Sequence, residues 1–218
     1  MKEKKNKPWP TKAAMTQVYE MKLWGGEEYD FYSGEGSHLS QLVEPYVNVL
    51  IEFLESKAKG LTVLDLGCGD FNVGNRLVGY THRYIAVDIV ENLIDRNKKL
   101  YSKKGLEFIC LDIAKDNLPQ ADCVIIRQVL QHLSNREVQE VVTKLYNFKH
   151  VIVTEHIPTG GFIANQDIIS GQGIRLKKKS GLVITKPPFN FKPRTEEELL
   201  SIKLNENKGV IKTVLYTL

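Results

Sequence analysis

The amino-acid sequence predicts an open α/β fold, with a doubly wound and mostly parallel sheet covered by helices on both faces. Strand and helix patterns alternate between residues 62 and 156 with short connections, which is typical of this class. The strand candidates are continuous apolar runs rich in β-branched residues, such as VIVT at 151–154. Runs of this kind indicate strands that are buried on both faces, as in parallel sheets.

The helices and strands follow in order along the chain. Residues 40–59 place apolar side chains on one helical face, and Gly60 is suited to end that helix. Ser134 and Glu137 have the spacing of a capping box, which predicts that a helix begins there. The apolar runs predict strands at 62–66, 83–89, 106–113, 121–129 and 150–156, with further helices at 73–80 and 91–105.

The two ends of the chain differ from this central region. Residues 1–38 are rich in glycine and aromatic residues and predict an arm ahead of one domain at 39–218. Residues 157–194 hold many Gly, Pro and Lys and predict a loop insertion within that domain. The segments 198–206 and 210–218 flank the turn Asn207–Gly209 and predict a closing antiparallel hairpin.

Length and composition indicate a globular protein of one domain with a short extension. The chain has 218 residues and a formal net charge of +4, which is too mild to indicate nucleic-acid binding but suits an anionic small substrate. The three cysteines lack metal-ligand spacing, so a reduced, cytoplasmic protein without a metal site is expected. We see neither a secretory signal nor an apolar run of about 18 residues, so no membrane association is expected.

The stretch LDLGCGDFNVG at 64–74 places a glycine turn between a strand and a helix. Gly67 and Gly69, on either side of Cys68, allow a sharp turn and a close approach to a ligand. The dinucleotide fingerprint G-x-G-x-x-G requires a third glycine where this chain has Asn72. The pattern is therefore a weak match to NAD-binding proteins, and glycines at strand ends also occur simply as turns.

Aspartates stand at the carboxyl ends of three successive strands, where open α/β sheets bind their ligands. Asp65 could meet the ammonium group of S-adenosylmethionine. Asp88, followed by Ile89, could hold the two ribose hydroxyls, a role that it would equally have toward NAD. Asp112 could accept a hydrogen bond from the adenine amino group while the side chain of Ile113 packs on the ring. Each aspartate alone is more simply a turn or cap residue, but the three together favour S-adenosylmethionine.

Four stretches resemble, in order and spacing, the motifs of class I S-adenosylmethionine-dependent methyltransferases: VLDLGCG, AVDIV, CLDIA and ADCVIIRQVLQHLS. The resemblance covers roughly residues 40–156 and 196–218. It implies a Rossmann-like sheet of seven strands in the order 3-2-1-4-5-7-6, with the seventh strand antiparallel, and S-adenosylhomocysteine as the product. This chain has Phe71 where the family commonly has a third glycine, at a position where the motif varies.

A histidine is the natural general base if the methyl acceptor is a hydroxyl group. His156 ends the fifth strand and His132 follows the fourth, so both are expected on the ligand side of the sheet. We predict His156 as the base with Glu155 as its orienting neighbour, and His132 as the second candidate. A structural hydrogen-bonded pair at 155–156, and a packing role for His132, are about equally well supported.

Other residues are predicted to contact cofactor or substrate. Arg127 and Gln128 follow the fourth strand, beside the expected methyl group, although Arg127 could instead pair with a nearby aspartate. Arg175 lies in a basic loop that could bind a phosphate or carboxylate, or could simply be solvated. Trp24 and Tyr32 belong to an aromatic segment that is predicted to close over the cofactor as a lid.

The stretch RQVLQHL also resembles that of small-molecule and sugar methyltransferases. The resemblance therefore implies a methyltransferase that acts on a small molecule, most simply on the oxygen of a sugar or phosphorylated metabolite. An RNA or protein methyltransferase of the same fold is the first alternative, and an NAD-dependent oxidoreductase or a cofactor-binding protein without catalysis is less well supported. The methyl acceptor, and the number of subunits, cannot be deduced from these motifs.

Overall fold

The computed structural model describes residues 9–58, 60–204 and 208–218. They form one seven-stranded sheet whose strand order, β3-β2-β1-β4-β5-β7-β6, is the predicted one. The first five strands are parallel, and β7 pairs antiparallel with both β5 and β6. The strands are β1 (Thr62–Leu66), β2 (Arg83–Asp88), β3 (Leu106–Cys110), β4 (Cys123–Arg127), β5 (His150–Ile157), β6 (Thr195–Lys203) and β7 (Val210–Thr217).

Four α-helices accompany the sheet in the described ranges. They are α1 (Thr11–Glu20), α2 (Ser40–Glu55), α3 (Glu91–Leu100) and α4 (Asn135–Leu145). The predicted capping box is present at the start of α4, where the Ser134 hydroxyl accepts from the backbone N–H of Glu137 and the Glu137 side chain accepts from the backbone N–H of Ser134.

The core lies in two layers, one on each face of the sheet, because successive strand side chains point to opposite faces. Leu64 and Val124 face the layer that contains the apolar stripe of α4. Val63 and Ile125 face the layer that contains Leu50 of α2. Both faces of the parallel strands are therefore apolar, which explains why these strands show no alternation in the sequence.

Several predicted boundaries differ from the structure. The segment 73–80 forms two short 3-10 turns, Gly74–Arg76 and Val78–Tyr80, instead of an α-helix. The helices predicted at 40–59 and 91–105 end earlier, at Glu55 and Leu100. The strand predicted at 106–113 ends at Cys110, so the DIA stretch that follows is free to form a turn. Part of the predicted terminal hairpin, residues 205–207, lies outside the described ranges.

Candidate functional site

A cavity of about 350 Å³ lies at the carboxyl ends of β1 to β4. This edge is where open α/β sheets bind ligands. Its floor is formed by residues at the carboxyl ends of these strands and in the turns that follow them, and its roof by α1 and residues 21–38 of the N-terminal arm. The floor residues are Gly67, Cys68, Gly69, Asp88, Ile89, Asp112, Ile113, Arg127 and Gln128.

The glycine turn is built as its sequence predicts. Gly67 and Gly69 have φ angles of 80° and 56°, a region that favours glycine. The backbone N–H groups of Gly67 and Cys68 donate to Val87 O at 2.8 and 2.9 Å, which holds the turn against β2. Phe71, in place of a third glycine, also has a positive φ of 65°. Its ring is fully buried in an aromatic cluster, so packing of the side chain stabilises a backbone conformation that is otherwise unfavourable.

Asp88 lies at the floor of the cavity, and its carboxylate is oriented by the backbone. Its Oδ2 accepts from Gly69 N at 3.1 Å and its Oδ1 accepts from Val90 N at 3.0 Å. Burial raises the pKa of Asp88, and these backbone donors oppose that shift. Each carboxylate oxygen retains a second lone pair. The arrangement fits a group with two neighbouring hydroxyls, such as a ribose.

Asp112 and Ile113 lie in the turn that follows β3. Asp112 Oδ1 accepts from Ala114 N at 3.1 Å, and its Oδ2 pairs with Lys115 Nζ at 2.7 Å. Both residues line the cavity, and the Ile113 side chain is buried. A carboxylate next to an aliphatic surface suits a flat ring that carries an amino group.

Asp65 does not line the main cavity. It faces a second cavity of about 30 Å³ behind the glycine turn, where its Oδ2 accepts from Tyr84 Oη at 2.8 Å. Burial raises the pKa of Asp65 to about 7, so it is only partly ionised near neutral pH. The Tyr46 hydroxyl and Arg127 Nε, which have no partner, line the same space. A volume of this size holds one water molecule. Asp65 is therefore not placed to contact an ammonium group in the main cavity, contrary to the prediction from the sequence.

Arg127 and Gln128 line the cavity at the end of β4, and Arg127 contacts the N-terminal arm where a salt bridge to Asp70 or Asp112 was the alternative expectation. Arg127 Nη2 donates to Gly36 O at 2.5 Å, and its guanidinium lies 4.8 Å from the ring centre of Tyr46. Gln128 has a positive φ of 57°, and its buried Nε2 has no partner. An unpartnered buried amide at a strained position in the cavity is a candidate ligand contact.

His132 lines the cavity in the 3-10 turn Leu130–His132. Its Nδ1 lies 3.1 Å from Gly171 O, so Nδ1 carries the proton and Nε2 is left with a lone pair. Gln131 Nε2, which lies 3.4 Å from His132 Nε2, is consistent with this tautomer. Burial lowers the pKa of His132 to about 4, so the ring is neutral at physiological pH.

The predicted pairing of Glu155 with His156 is wrong. Neighbouring residues of a strand point to opposite faces of the sheet, so their side chains cannot meet. His156 lines the cavity, and its Nε2 donates to Lys208 O at 2.5 Å, which leaves Nδ1 as its acceptor. Glu155 is buried on the other face, where its Oε2 accepts from Gln131 N at 3.2 Å. Burial raises the pKa of Glu155 to about 8.

The structure does not support Arg175 and Tyr32 as substrate contacts, since neither side chain lines the cavity. Arg175 is 1% exposed, and its guanidinium is held by main-chain carbonyls and one amide oxygen. Tyr32 stacks on Tyr29 and packs against His38 on the outside of the arm. Trp24, in contrast, lines the cavity, and its ring lies 5.3 Å from that of His132.

The N-terminal arm contributes residues that the sequence interpretation missed. Thr11, Met15 and Tyr19 lie four residues apart on one face of α1 and line the cavity. The spacing of four residues, which places side chains on one face of a helix, was the feature of the sequence that could have identified them. Ser33 accepts from Asp70 N at 2.8 Å and donates its own backbone N–H to Asp70 Oδ2 at 2.9 Å, which fastens the arm to the glycine turn.

Three carboxylates and one guanidinium line this cavity: Asp88, Asp112, Glu137 and Arg127. Glu137 was predicted only as a cap, and it also accepts from the hydroxyls of Thr11 and Ser170. These donors outweigh burial and lower its pKa, so the carboxylate is charged. Within the described ranges, no three His, Cys, Asp or Glu side chains form a group that could hold a metal ion. No helix in these ranges is both long and apolar enough to cross a bilayer.

Comparison with known proteins agrees with this geometry. Residues 63–149 match the family described as Methyltransferase domain. Phosphoethanolamine N-methyltransferase 3 of Arabidopsis thaliana is 28% identical over 98 residues, which are 43% of this chain and 20% of the relative. The matched region thus spans about a fifth of that relative's length.

Two solved structures share the fold over nearly their whole length. The N-methyltransferase NodS from Bradyrhizobium japonicum WM9, in complex with S-adenosylhomocysteine, has a TM-score of 0.67 at 12% identity, and the match covers 94% of this chain and 98% of that one. Magnesium protoporphyrin IX methyltransferase from Synechocystis PCC 6803, with bound S-adenosylmethionine, has a TM-score of 0.61 at 15% identity, and the match covers 97% and 99%.

The strand order, the glycine turn and the aspartates after β2 and β3 define a class I methyltransferase fold. Residues 63–149 form its methyltransferase domain. The chain therefore contains a methyltransferase domain and has the fold of the S-adenosylmethionine-dependent methyltransferases of class I.

Proposed function

We propose that this chain is an enzyme that transfers a methyl group from S-adenosylmethionine to a small molecule held in the covered cavity. The observation that carries this proposal is the roof formed by the N-terminal arm, since α1, Trp24 and Ser33 close the carboxyl edge of the sheet. The covered cavity as a whole, which must hold both cofactor and acceptor, has a volume of about 350 Å³, at the lower end of the range for small-molecule sites. An RNA or protein acceptor would need an open groove at this edge.

The residues of the floor would hold the cofactor in three parts. Asp88 would bind the ribose hydroxyls, and Asp112 with Ile113 would bind the adenine ring. The glycine turn, Arg127 and Gln128 would lie along the amino-acid part. The cofactor supplies an electrophilic methyl group, so the protein must orient the acceptor and exclude water from it. Trp24 and Tyr19 provide an apolar roof for this purpose.

The charges of the cavity favour an amine as the acceptor over the phosphorylated hydroxyl compound predicted from the sequence. Asp88 and Asp112 are assigned to the cofactor, which leaves Glu137 as the charged carboxylate available to the acceptor, and the Arg127 guanidinium is engaged by the arm. A neutral amine attacks through its own lone pair and requires proton removal only afterwards, whereas a hydroxyl needs a base during attack. His132, with a pKa of about 4, is a weak base for that purpose. The N-methyltransferase relatives are consistent with an amine acceptor.

A hydroxyl acceptor is the second candidate, and His156 is the observation that favours it. Its Nε2–H donates to Lys208 O, so its Nδ1 is an unprotonated acceptor beside the cavity. Burial lowers its pKa, which keeps the ring neutral near pH 7. His156 could therefore remove a hydroxyl proton.

Cofactor and acceptor can be tested separately. Calorimetry should show binding of S-adenosylhomocysteine and no binding of NAD, and binding of NAD alone would refute the methyltransferase proposal. Methyl transfer from isotopically labelled S-adenosylmethionine should then be measured on matched small amines and alcohols. Labelling of the alcohols alone would favour the hydroxyl candidate. Labelling of RNA or protein but of no small compound would refute the proposed acceptor class.

A further inference from the structure

Arg175 is the most deeply buried charged side chain in the described ranges, with 1% of its surface exposed. Three lysines follow closely in the sequence at 177–179, and no carboxylate of the described residues lies within salt-bridge distance of Arg175. Its donors are instead used by four backbone carbonyl oxygens and one side-chain amide oxygen. The bonds are Nε to Gln166 O at 3.0 Å, Nη1 to Leu130 O and Gln131 O at 3.2 Å each, and Nη2 to Leu133 O at 2.8 Å and to Asn135 Oδ1 at 2.7 Å.

Three of these carbonyls belong to the turn that carries Gln131 and His132 into the cavity. A backbone N–H group of the same turn is bound by Glu155, whose Oε2 accepts from Gln131 N at 3.2 Å. The peptide dipoles of the turn thus point their oxygens at a buried cation and an N–H at a buried carboxyl group. The bonds from the Arg175 guanidinium are charge-assisted and therefore stronger than those between neutral groups. The turn is therefore held from both sides.

The turn is also joined to the loop that contains Arg175. Gly171 N donates to His132 O at 3.0 Å, and His132 Nδ1 donates to Gly171 O at 3.1 Å. This second bond selects the tautomer of the His132 ring. Gln131 Oε1 accepts from His156 N at 3.2 Å, so the same turn also contacts the end of β5.

We propose that Arg175 is a positioning residue, which holds the turn 130–133 so that Gln131 and His132 face the methyl acceptor. This inference rests on the proposed function, because it assigns the acceptor end of the cavity to these two side chains. It replaces the sequence-based expectation that Arg175 binds the substrate directly. The planar fork of the guanidinium is required, since a lysine ammonium has three donors at one point and cannot reach all five oxygens.

The test compares Arg175→Lys with Lys177→Met, a loop variant that leaves the turn untouched. The wild-type protein should show a His132 imidazole with its proton on Nδ1 in nitrogen-15 NMR spectra. Arg175→Lys should lose this single tautomer and show fast exchange of the ring proton, whereas Lys177→Met should keep the wild-type spectrum. Binding of S-adenosylhomocysteine should remain within about threefold in both variants, because the cofactor floor lies on other residues.

Asn135→Ala is the milder variant if Arg175→Lys does not fold, since it removes one of the five acceptors and keeps the guanidinium. It should shift the His132 ring signals in the same direction and to a smaller extent. Folded variants with an unchanged His132 tautomer and ring exchange would overturn the positioning role. Failure of the wild-type protein to bind S-adenosylhomocysteine would instead refute the proposed function.

Discussion

The replacement Gly69→Ala tests whether the glycine turn and the N-terminal arm form one binding surface. Gly69 has a φ of 56°, which costs an alanine about 1–2 kcal/mol. The added Cβ would lie 3.0 Å from Ser33 Cβ and nearer still to its hydroxyl, so Ser33 must move. That movement breaks the bond from Asp70 N to Ser33 Oγ, at 2.8 Å, and the contact with Tyr19 Oη, at 3.1 Å.

The two contributions can be added to an expected effect. Each of the two lost hydrogen bonds costs about 0.5–1.5 kcal/mol, so together with the backbone cost the free energy of unfolding should fall by about 2–5 kcal/mol. Displacement of the arm also opens the roof of the cavity. A loss of about 1.4 kcal/mol in binding corresponds to a tenfold change in affinity. S-adenosylhomocysteine should therefore bind at least about tenfold more weakly.

Gly79→Ala is the matched control for this replacement. Gly79 does not have a positive φ, and a Cβ there would meet no atom within 4 Å. Urea unfolding and calorimetry with S-adenosylhomocysteine should give values close to wild type for this control. If Gly69→Ala had the unfolding midpoint and affinity of Gly79→Ala, the steric connection between turn and arm would be refuted.

Three further predictions concern separate parts of the site. Asp88→Asn removes the charge that would hold the ribose, so calorimetry should show about 10- to 100-fold weaker binding of S-adenosylhomocysteine. The control Asp95→Asn, on the exposed side of α3, should bind S-adenosylhomocysteine with the wild-type affinity. Trp24→Ala removes the ring beside His132 and should lower the rate of methyl transfer at least about tenfold. The control Trp9→Ala changes a residue that is 62% exposed and should keep the wild-type rate. Equal activity of the two variants would contradict the proposed roof. Burial raises the pKa of Asp65 in the folded protein to about 7, from 3.8. Between these two pH values the folded protein binds more protons than the unfolded chain, so its free energy of unfolding should fall as the pH rises from about 4 to 7. Asp65→Asn should flatten that loss in urea unfolding measured at pH 5 and pH 8, and an unchanged slope would show that Asp65 titrates normally.

The fold could be predicted to a large extent because parallel strands leave a strong signal in the sequence. A strand buried on both faces, such as β1, reads as a short apolar run, and the ends of such runs locate the carboxyl edge of the sheet. Helix ends were less accurate because local signals compete with packing. The Gly105 end was expected for α3, but this helix ends at Leu100, and the residues that follow lead into β3 as an irregular connection.

The cofactor floor was predictable for a related reason. A residue at the carboxyl end of a parallel strand, or in the turn that follows it, must lie at the binding edge of the sheet. Asp88 and Asp112 were located in this way, and both line the cavity. Asp65 lies within β1, and its side chain points to the face of the sheet behind the turn.

The acceptor end depends on contacts between segments that are distant in sequence, and no local pattern reports them. Arg175 occurs in a run of basic residues that is typical of an exposed loop, yet it contacts the turn at 130–133, more than 40 residues away. The carbonyls of that turn need donors once the loop covers them, since an unpaired buried carbonyl is costly. Arginine supplies five donors from one side chain, so a single basic residue meets this need, while the lysines beside it remain at the surface. The same run of charges therefore contains one structural residue and several solvated ones, and only the backbone geometry of the turn distinguishes them.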